Sequence, residues 1–465
     1  MIVVNEGSEA SHTAQVWEAL LALRKEQNTL HKTVVDMCAV QKALCAMLTE
    51  MGLLDTQRLL QECHRQHFAA VRRAHPSDWN NSLISVLGFT DSACAAARFM
   101  NQQDYAGLCA TSRALARSMS EASSALIPSR LLVCGGRGPG GTLSSAELFD
   151  RTSGWKALSP MSEERLGASA AVMRGCFHVC GGETRNGRLL SSAECFDPGV
   201  GSWRSLPSMS CRRRIAASAV TDHHWYICGG DGTRGLLNTV ERFDALLERW
   251  ESLSAMSVER GVAGAAVMQD HVYVVGGYNG FVDDPMEYEA LRSAERFDGT
   301  WVTLQAMTYG RWEFAIAVIA DSLYVCGGDV IGQALNAVER YNPSIGVWEL
   351  LRPMRECRSR VASAVLGGKL YICGGHGMVG EDRVALCSVE CFDPAHDTWE
   401  ELPPMTQARW LSAAVVLDGC LVVCGGLGEG HCSSVEQFSS ATRKWQALPH
   451  MTSARFNPLV SVIAV

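Results

Sequence analysis

The sequence lacks the features that mark membrane, secreted and zinc-binding proteins. None of its 465 residues belongs to a run of 18 or more apolar residues, so no membrane span is expected. The first ten residues contain no basic stretch followed by an apolar core, so no secretory signal is predicted. Neither a Cys-x-x-Cys pair nor a His-Glu-x-x-His stretch occurs, so no metal or other cofactor is expected.

Basic charge is also scarce. Lys and Arg number 41 against 49 Asp and Glu, and the net charge of −8 argues against nucleic acid or an anionic membrane as the main partner. The 19 cysteines are an odd number in a chain without an export signal, which predicts reduced thiols in the cytoplasm or nucleus. Only 14 prolines accompany 43 glycines, a balance that indicates many tight turns.

A pair of glycines recurs seven times at intervals of 46 to 51 residues, which is the signature of a repeat architecture. A short apolar run precedes each pair, and a Glu, an aromatic residue and a Trp follow it. The first glycines of the pairs are Gly135, Gly181, Gly229, Gly276, Gly327, Gly374 and Gly425. The glutamates are Glu147, Glu194, Glu241, Glu295, Glu339, Glu390 and Glu436.

An arginine lies 16 residues before each of the last six glycine pairs. These arginines are Arg165, Arg213, Arg260, Arg311, Arg358 and Arg409. Each unit then holds four short strands: A after the Arg, B before the glycines, C around the Glu and D at the Trp. Such a sheet cannot bury both faces alone, so the units are expected to stack radially and close into a ring.

The double glycine, the Glu-x-aromatic sequence and the spaced Trp resemble the kelch motif. The resemblance covers residues 129–465 and implies an all-β propeller of seven blades. Arg455 heads a final apolar segment that no glycine pair follows, whereas Met119 stands where the first unit would need its Arg. We therefore expect the C-terminal segment to supply strand A of blade 1, with residues 122–126 as the rival for that position.

Function is expected on the face where strand A begins and strand B ends. In the kelch family, arginines at the motif position capture acidic peptides in some members, so Arg165, Arg213, Arg260, Arg311, Arg358, Arg409 and Arg455 are candidate partner-binding residues. One Glu per blade lies on the same face, so the alternative is a purely structural pairing of Arg with Glu. Cysteine precedes six of the seven glycine pairs and Val275 the other, which indicates a small buried side chain there.

Specificity is expected from residues that differ between blades. The loops between strands B and C of blades 4 and 6 are the longest, and the first carries Asp283 and Asp284. Arg212 adds to a local basic cluster. Trp312 and Trp410 directly follow their blade arginines, where they can anchor a partner or fill the channel.

The N-terminal part is predicted to be helical. After a disordered tail over residues 1–10, a heptad pattern predicts a coiled coil or a helical hairpin over residues 11–76. Residues 77–128 resemble the middle and end of an F-box, without its usual Leu-Pro opening. That resemblance implies docking to a ligase linker through Phe99, Met100, Tyr105 and Leu108.

Together these features predict a non-catalytic adaptor whose propeller holds a protein partner. If the F-box resemblance holds, the chain is a substrate receptor of a cullin-type ubiquitin ligase. The alternatives are a scaffold, cytoskeletal in kind, that forms a homodimer through its heptads, and a propeller enzyme. The enzyme is not supported by the histidines, which are scattered along the sequence and show no catalytic spacing.

Overall fold

The computed structural model describes residues 129–221, 223–280, 288–379 and 382–464. The N-terminal segments predicted over 1–128 therefore lie outside the described residues, with the docking candidates Phe99, Met100, Tyr105 and Leu108. Asp283 and Asp284 lie outside them as well. The described part contains no helix of the length and apolarity that a membrane span requires.

Over these described residues the fold is all-β and is built on seven four-stranded antiparallel sheets, which are the blades. Strand order in each blade is A-B-C-D. Blade 1 consists of Leu459–Ala464, Ser129–Cys134, Ala146–Asp150 and Gly154–Ala157. Blade 2 consists of Ser169–Met173, Cys176–Cys180, Ala193–Asp197 and Ser202–Leu206. Blade 3 consists of Ala217–Val220, His224–Cys228, Val240–Asp244 and Arg249–Leu253.

The remaining blades repeat this arrangement. Blade 4 consists of Gly264–Met268, His271–Val275, Ala294–Phe297 and Trp301–Thr303. Blade 5 consists of Ala315–Ile319, Ser322–Cys326, Val338–Asn342 and Val347–Leu350. Blade 6 consists of Ala362–Leu366, Lys369–Cys373, Val389–Asp393 and Thr398–Leu402. Blade 7 consists of Ala413–Leu417, Cys420–Cys424, Val435–Ser439 and Lys444–Leu448.

Short two- to four-residue strands decorate the loops that join strands B and C. They are Arg137–Gly138 with Gly141–Thr142, Asp231–Gly232 with Gly235–Leu236, Tyr278–Asn279 with Glu289–Ala290, Asp329–Val330 with Gln333–Ala334, and His376–Val379 with Asp382–Ala385. Asp231–Gly232 also pairs with Arg213–Arg214, which precedes strand A of blade 3. We call the face that carries these loops the upper face, and the opposite face, with the A–B and C–D turns, the lower face.

The C-terminal strand closes the ring. Leu459–Ala464 pairs antiparallel with Ser129–Cys134, from Cys134 opposite Leu459 to Ser129 opposite Ala464. Blade 1 therefore takes its strand A from the end of the chain and its other strands from residues 129–157. Each strand A also contacts the strand A of the next blade, all the way around. The A strands thus line the centre, and the D strands form the outer edge.

The core lies between the blades. Each of the seven interfaces holds an apolar cluster, such as Met209, Trp225 and Phe243 between blades 2 and 3. Strand B is buried on both faces, because strands A and C lie on either side of it within the blade and a neighbouring blade packs against each face of the sheet. Strand D carries exposed polar residues at the open edge, a pattern that discourages edge-to-edge pairing.

The repeated Trp of strand D does more than fill space. In six blades its indole Nε1 donates to a backbone carbonyl just after strand D of the preceding blade, at 2.7–2.9 Å. The six are Trp155, Trp203, Trp250, Trp301, Trp399 and Trp445. The Nε1 of Trp348 is buried without a partner. Each of the six indoles therefore joins two blades by a directed bond as well as by packing.

Cysteines before the glycine pairs are small buried groups. Burial raises the pKa of the thiols of Cys134, Cys228, Cys326, Cys373 and Cys424 to about 12. It raises the pKa of Cys180 as well. A buried thiol with so high a pKa is inert, in agreement with the interchange of Cys and Val at this position.

Candidate protein-binding face

The seven motif arginines are buried, with exposed fractions of 0 to 1%. In every blade the guanidinium donates to the carboxylate of the motif Glu of the same blade, at 2.5–2.9 Å. The pairs are Arg165–Glu194, Arg213–Glu241, Arg260–Glu295, Arg311–Glu339, Arg358–Glu390, Arg409–Glu436 and Arg455–Glu147.

The constant spacing of 16 residues has a direct structural cause. Each guanidinium donates from Nη1 to the carbonyl of the first glycine of its own blade, at 2.8–3.0 Å. The carbonyl of each Arg accepts from the second glycine of the preceding blade, at 2.8–2.9 Å. The Arg therefore fastens strands A, B and C of one blade and ties that blade to its neighbour.

The glycine pair is required by this contact. A Cβ on Gly327 would lie 2.4 Å from the carbonyl oxygen of Arg358 in the next blade, and Gly328 has a φ of 104°. A side chain at the first position would push the blades apart, and the second conformation is one that side-chain-bearing residues rarely adopt.

The motif glutamates complete the frame. The second carboxylate oxygen of each accepts a backbone N–H from the loop that leads to the blade's Arg, at 2.6–2.9 Å. Burial lowers the pKa of Arg260 and Arg311, because desolvation disfavours the charged guanidinium. The prediction that the seven arginines bind a partner is therefore corrected: their guanidiniums are enclosed and donate from both Nη atoms within the blade, as the structural alternative required, and each Nε is buried without a partner.

The basic cluster predicted at residues 212–214 is divided. Arg213 is buried with the motif arginines, whereas Arg212 is exposed on the upper face. Arg214 forms ion pairs with Glu183 at 2.6 Å and with Asp231 at 3.1 Å. Alternation along an extended chain explains the difference, because successive side chains point to opposite sides.

Residues that differ between blades surround the channel on the upper face. The residue after each motif Arg pairs through its backbone with the residue after a glycine pair, so each blade presents one such pair. We call them the mouth pairs: Phe456–Arg137, Leu166–Glu183, Arg214–Asp231, Gly261–Tyr278, Trp312–Asp329, Ser359–His376 and Trp410–Leu427. The sequence pattern predicted Trp312 and Trp410 but not the residues after the glycine pairs, which are of six different types in the seven units.

One part of the mouth is polar and internally paired. The Tyr278 hydroxyl donates to Asp231 at 2.9 Å, and Asp231 also accepts from Arg214. Arg383 of the blade 6 loop pairs with Asp329 of blade 5 at 3.0 Å. Trp312 is half-buried with its ring 5.6 Å from that of Tyr278. The charges of this part thus satisfy one another.

The other part of the mouth is aromatic. The ring of Trp410 lies 4.0 Å from that of His376 and 6.4 Å from that of Phe456. The ring of His431 lies 5.4 Å from Phe456. An arginine does contact Trp410, but it is Arg360, with its guanidinium carbon 5.1 Å from the ring centroid, and not the motif arginine Arg409. Arg360 is also paired with Glu313 of blade 5.

The described residues hold no group of three or more His, Cys, Asp or Glu side chains that could bind a metal ion. Within the same ranges Cys357 is the exposed cysteine, on the loop that leads to Arg358.

Comparison with known proteins agrees with the repeat. Residues 265–460 match the KLHDC2/KLHL20/DRC7 Kelch-repeats domain, and residues 164–210 match the Kelch motif. Mouse Kelch-like protein 35 is 29% identical over 128 residues, which are 28% of this chain. The match spans 22% of that relative's length.

A solved structure titled "Structure of YjhT" matches with a TM-score of 0.51 and 15% identity, over 63% of this chain and 99% of that chain. At this level of identity the match supports the fold alone. The seven-blade geometry, the two motif matches and the mouse relative agree that residues 164–210 and 265–460 carry kelch repeats.

Proposed function

We propose that the propeller is a non-catalytic binding domain that holds a protein partner on its upper face. The observation that carries the proposal is the contrast between the frame and the mouth pairs. Arg, Glu and glycine are the same in all seven blades and are buried, whereas the mouth pairs range from Arg–Asp to Trp–Leu and are mostly half-exposed. Such variation on a rigid scaffold is typical of a recognition surface.

Two further features support the upper face. The B–C loop of blade 6 extends as a hairpin, His376–Val379 with Asp382–Ala385, beside the aromatic part of the mouth. Trp and Arg are among the residue types most enriched in the energetic anchors of protein interfaces, and Phe is enriched at interfaces in general. The lower face offers scattered exposed apolar residues at turn tips, such as Val200 and Ile345, instead of a cluster.

A photo-crosslinking experiment tests which face binds. The full chain would carry a photoreactive phenylalanine analogue at Thr233 or Met378 on the upper face, or at Val200 or Ile345 on the lower face. All four positions are exposed. We expect crosslinked protein from the upper positions in cell extract. Equal yields from the lower positions would contradict the proposal.

We further propose that the chain serves as a substrate receptor of a cullin-type ubiquitin ligase. This rests on the F-box resemblance of residues 77–128, which lies outside the described residues. Recovery of the ligase linker with the full chain, and its loss in the Tyr105→Asp/Leu108→Asp variant, is the expected result. Absence of the linker from the wild-type preparation, together with dimers in solution, would favour the scaffold instead. Copper in the purified protein would support the alternative that the propeller is an enzyme.

A further inference from the structure

The turn between strands C and D of blade 4 is shorter than its counterparts on the lower face. The motif Trp follows the motif aromatic residue by seven positions in blades 2, 3, 5, 6 and 7, by six in blade 1 and by only four in blade 4. In blade 4 only residues 298–300 lie between Phe297 and Trp301. Strand D is short as well, Trp301–Thr303. Blade 4 therefore lacks the turn tip that the other blades carry.

At two other interfaces this tip reaches the preceding blade. Arg443 of the blade 7 turn pairs with Glu400 of blade 6 at 2.7 Å. Glu248 of the blade 3 turn accepts a hydrogen bond of 3.0 Å from Arg204 of blade 2. In both cases the turn residue lies two positions before its own Trp, and its partner directly follows the Trp of the preceding blade. In blade 4 the first of these positions is Gly299, which has no side chain.

A cavity of about 460 Å³ opens between blades 3 and 4 beside the shortened turn, and we call it the blade 3–4 cavity. Its volume lies within the range of small-molecule sites. The rings of Tyr226 and Phe297 lie 6.2 Å apart in its wall. The lining includes Tyr226, Arg242 and Leu253 of blade 3 with His271, Phe297 and Asp298 of blade 4.

Glu251 is the blade 3 residue that a turn tip would meet. It directly follows Trp250, as Glu400 follows Trp399, and it lies opposite Arg242 across strands C and D. Its side chain is 52% exposed, and its Oε2 accepts from Nη2 of Arg242 at 2.6 Å. Among the described residues no group donates to its Oε1. This carboxylate therefore has one oxygen open to a second donor.

The charges around the cavity favour a cationic ligand. The carboxylates of Glu251, Asp270 and Asp298 outnumber the guanidiniums of Arg242 and Arg296. Arg296 is paired with Asp298 at 2.7 Å, so it does not compensate Glu251. A planar guanidinium fits a carboxylate better than an ammonium does, because its N–H groups form a fixed fork.

We propose that the blade 3–4 cavity binds an alkylguanidinium group, supplied by a free compound or by an arginine of another chain. The head group pairs with Oε1 of Glu251 as Arg443 pairs with Glu400. The alkyl stem lies against Leu253 and Phe297. The site lies on the lower face and does not depend on the proposed function, which concerns the upper face.

Saturation-transfer NMR on the full chain tests the proposal with n-butylguanidinium as the probe. We expect saturable binding, and binding weaker by about fivefold or more for n-butylurea, which has the same planar shape without the charge. Glu251→Gln should weaken binding of n-butylguanidinium by about fivefold or more, because the amide keeps an acceptor for Arg242 but loses the negative charge.

Glu349→Gln is the matched control and should leave the affinity for n-butylguanidinium unchanged. Glu349 pairs with Arg340 in blade 5 as Glu251 pairs with Arg242 in blade 3, but the blade 6 turn beside it has its full length. Both glutamates are more than one-third exposed, so neither substitution is expected to disturb folding.

A second variant fills the cavity from within. Residues 439–444, which form the blade 7 turn with Arg443, would replace residues 298–300 and place a guanidinium two positions before Trp301. We expect this variant to bind no n-butylguanidinium, because its own arginine occupies Glu251. A Tm no lower than that of the wild type would show that the variant is folded.

The peptide acetyl-Gly-Gly-Arg-Gly-Gly-amide separates the two sources of the group. Binding tighter than that of n-butylguanidinium by about tenfold or more assigns the cavity to an arginine of another chain, and any weaker binding assigns it to a free compound. The inference is overturned if n-butylguanidinium does not bind or if n-butylurea binds equally well. Unchanged binding in Glu251→Gln or in the folded turn replacement would overturn it too.

Discussion

The guanidinium of Arg455 donates a hydrogen bond of 2.6 Å to the carboxylate of Glu147, although 308 residues separate the two in the chain. Both side chains are buried. The same carboxylate accepts the backbone N–H groups of Thr452 and Ser453. Arg455 and Asn457 donate their own backbone N–H groups to blade 7, so the segment before the last strand joins the first blade to the last. This pair is the ionic part of the ring closure, and strand pairing supplies the rest.

Replacing Arg455 by Met should destabilise the propeller by about 3–5 kcal/mol, because it leaves the carboxylate of Glu147 buried without its counter-ion. Denaturant unfolding of the full chain followed by tryptophan fluorescence measures the loss. Arg165→Met is the control, since it removes the equivalent pair within blade 2, where Arg165 and Glu194 are 29 residues apart. We expect a broader, less cooperative transition for Arg455→Met alone. Identical transitions for the two variants would show that the pair plays no part in closure.

A second prediction concerns the residues two positions after the motif arginines. All seven have positive φ, including the β-branched Ile215 at 46° and Val262 at 50°. In four of the blades the backbone N–H at this position donates to the carbonyl of the equivalent residue in the preceding blade, as in Leu411 to Arg360 at 3.0 Å. The left-handed conformation costs a β-branched residue about 1–2 kcal/mol.

Val262→Asn should therefore stabilise the protein by about 1 kcal/mol, since Asn tolerates this conformation and the chain itself uses Asn457 there. Thermal unfolding would show the gain as a higher Tm. Val267→Asn, in strand A of the same blade, places the same substitution at a residue without a positive φ and should lower Tm. A lower Tm for Val262→Asn as well would mean that its side-chain contacts outweigh the strain.

The repeat allowed most of the propeller to be predicted, because its spacing reflects hydrogen bonds that recur in each blade. For example, the 16-residue interval from Arg165 to Gly181 reflects the hydrogen bond from the Arg165 guanidinium to the Gly181 carbonyl. The burial of the arginine side chains was harder to predict, because the sequence shows that an Arg recurs but not that a neighbouring blade covers it. Arg212 and Arg213 are adjacent and of one type, and although alternation places them on opposite sides, only the packing of the blades decides which of the two is buried.

The candidate site was predicted in part for the same reason. Trp410 stood out because it follows a motif arginine, whereas His376 and Arg137 lie 34 residues before it and more than 270 before it in the chain. Ring closure brings Arg137 beside Phe456, and no local pattern encodes that meeting. Long-range contacts of this kind depend on the closed topology and not on the motif.

Thiol reactivity gives a third prediction. A thiol with a pKa of about 12 is ionised in about one molecule in ten thousand at pH 8, and only the thiolate reacts. Iodoacetamide treatment of the native chain followed by mass spectrometry should therefore modify the exposed Cys357 first and leave Cys228 and Cys373 unmodified. Labelling in denaturant is the control and should modify all three. Rapid native labelling of Cys228 would contradict the burial of strand B.

The pH dependence of stability gives a fourth prediction, centred on His376. Burial lowers the pKa of its imidazole to about 4, and the positive charges of Arg360 and Arg383 act in the same direction. The buried Nδ1 has no hydrogen-bond partner that would favour protonation. In the unfolded chain the same group titrates at about 6.5. Between about pH 6.5 and about pH 4 the unfolded chain binds a proton at this group and the folded protein does not. The free energy of unfolding therefore falls as the pH is lowered through that range.

His376→Gln removes this titration, so the stability difference between wild type and variant should shift by about 1 kcal/mol between pH 7 and pH 4.5. We expect about 1 kcal/mol instead of the roughly 3 kcal/mol that the full shift would give, because water screens the half-exposed ring. Denaturant unfolding at the two pH values measures it, with His396→Gln, at a side chain that is 74% exposed, as control. A difference that stays constant with pH would mean that the His376 imidazole takes up its proton as readily in the folded protein as in the unfolded chain, which would contradict the lowered pKa.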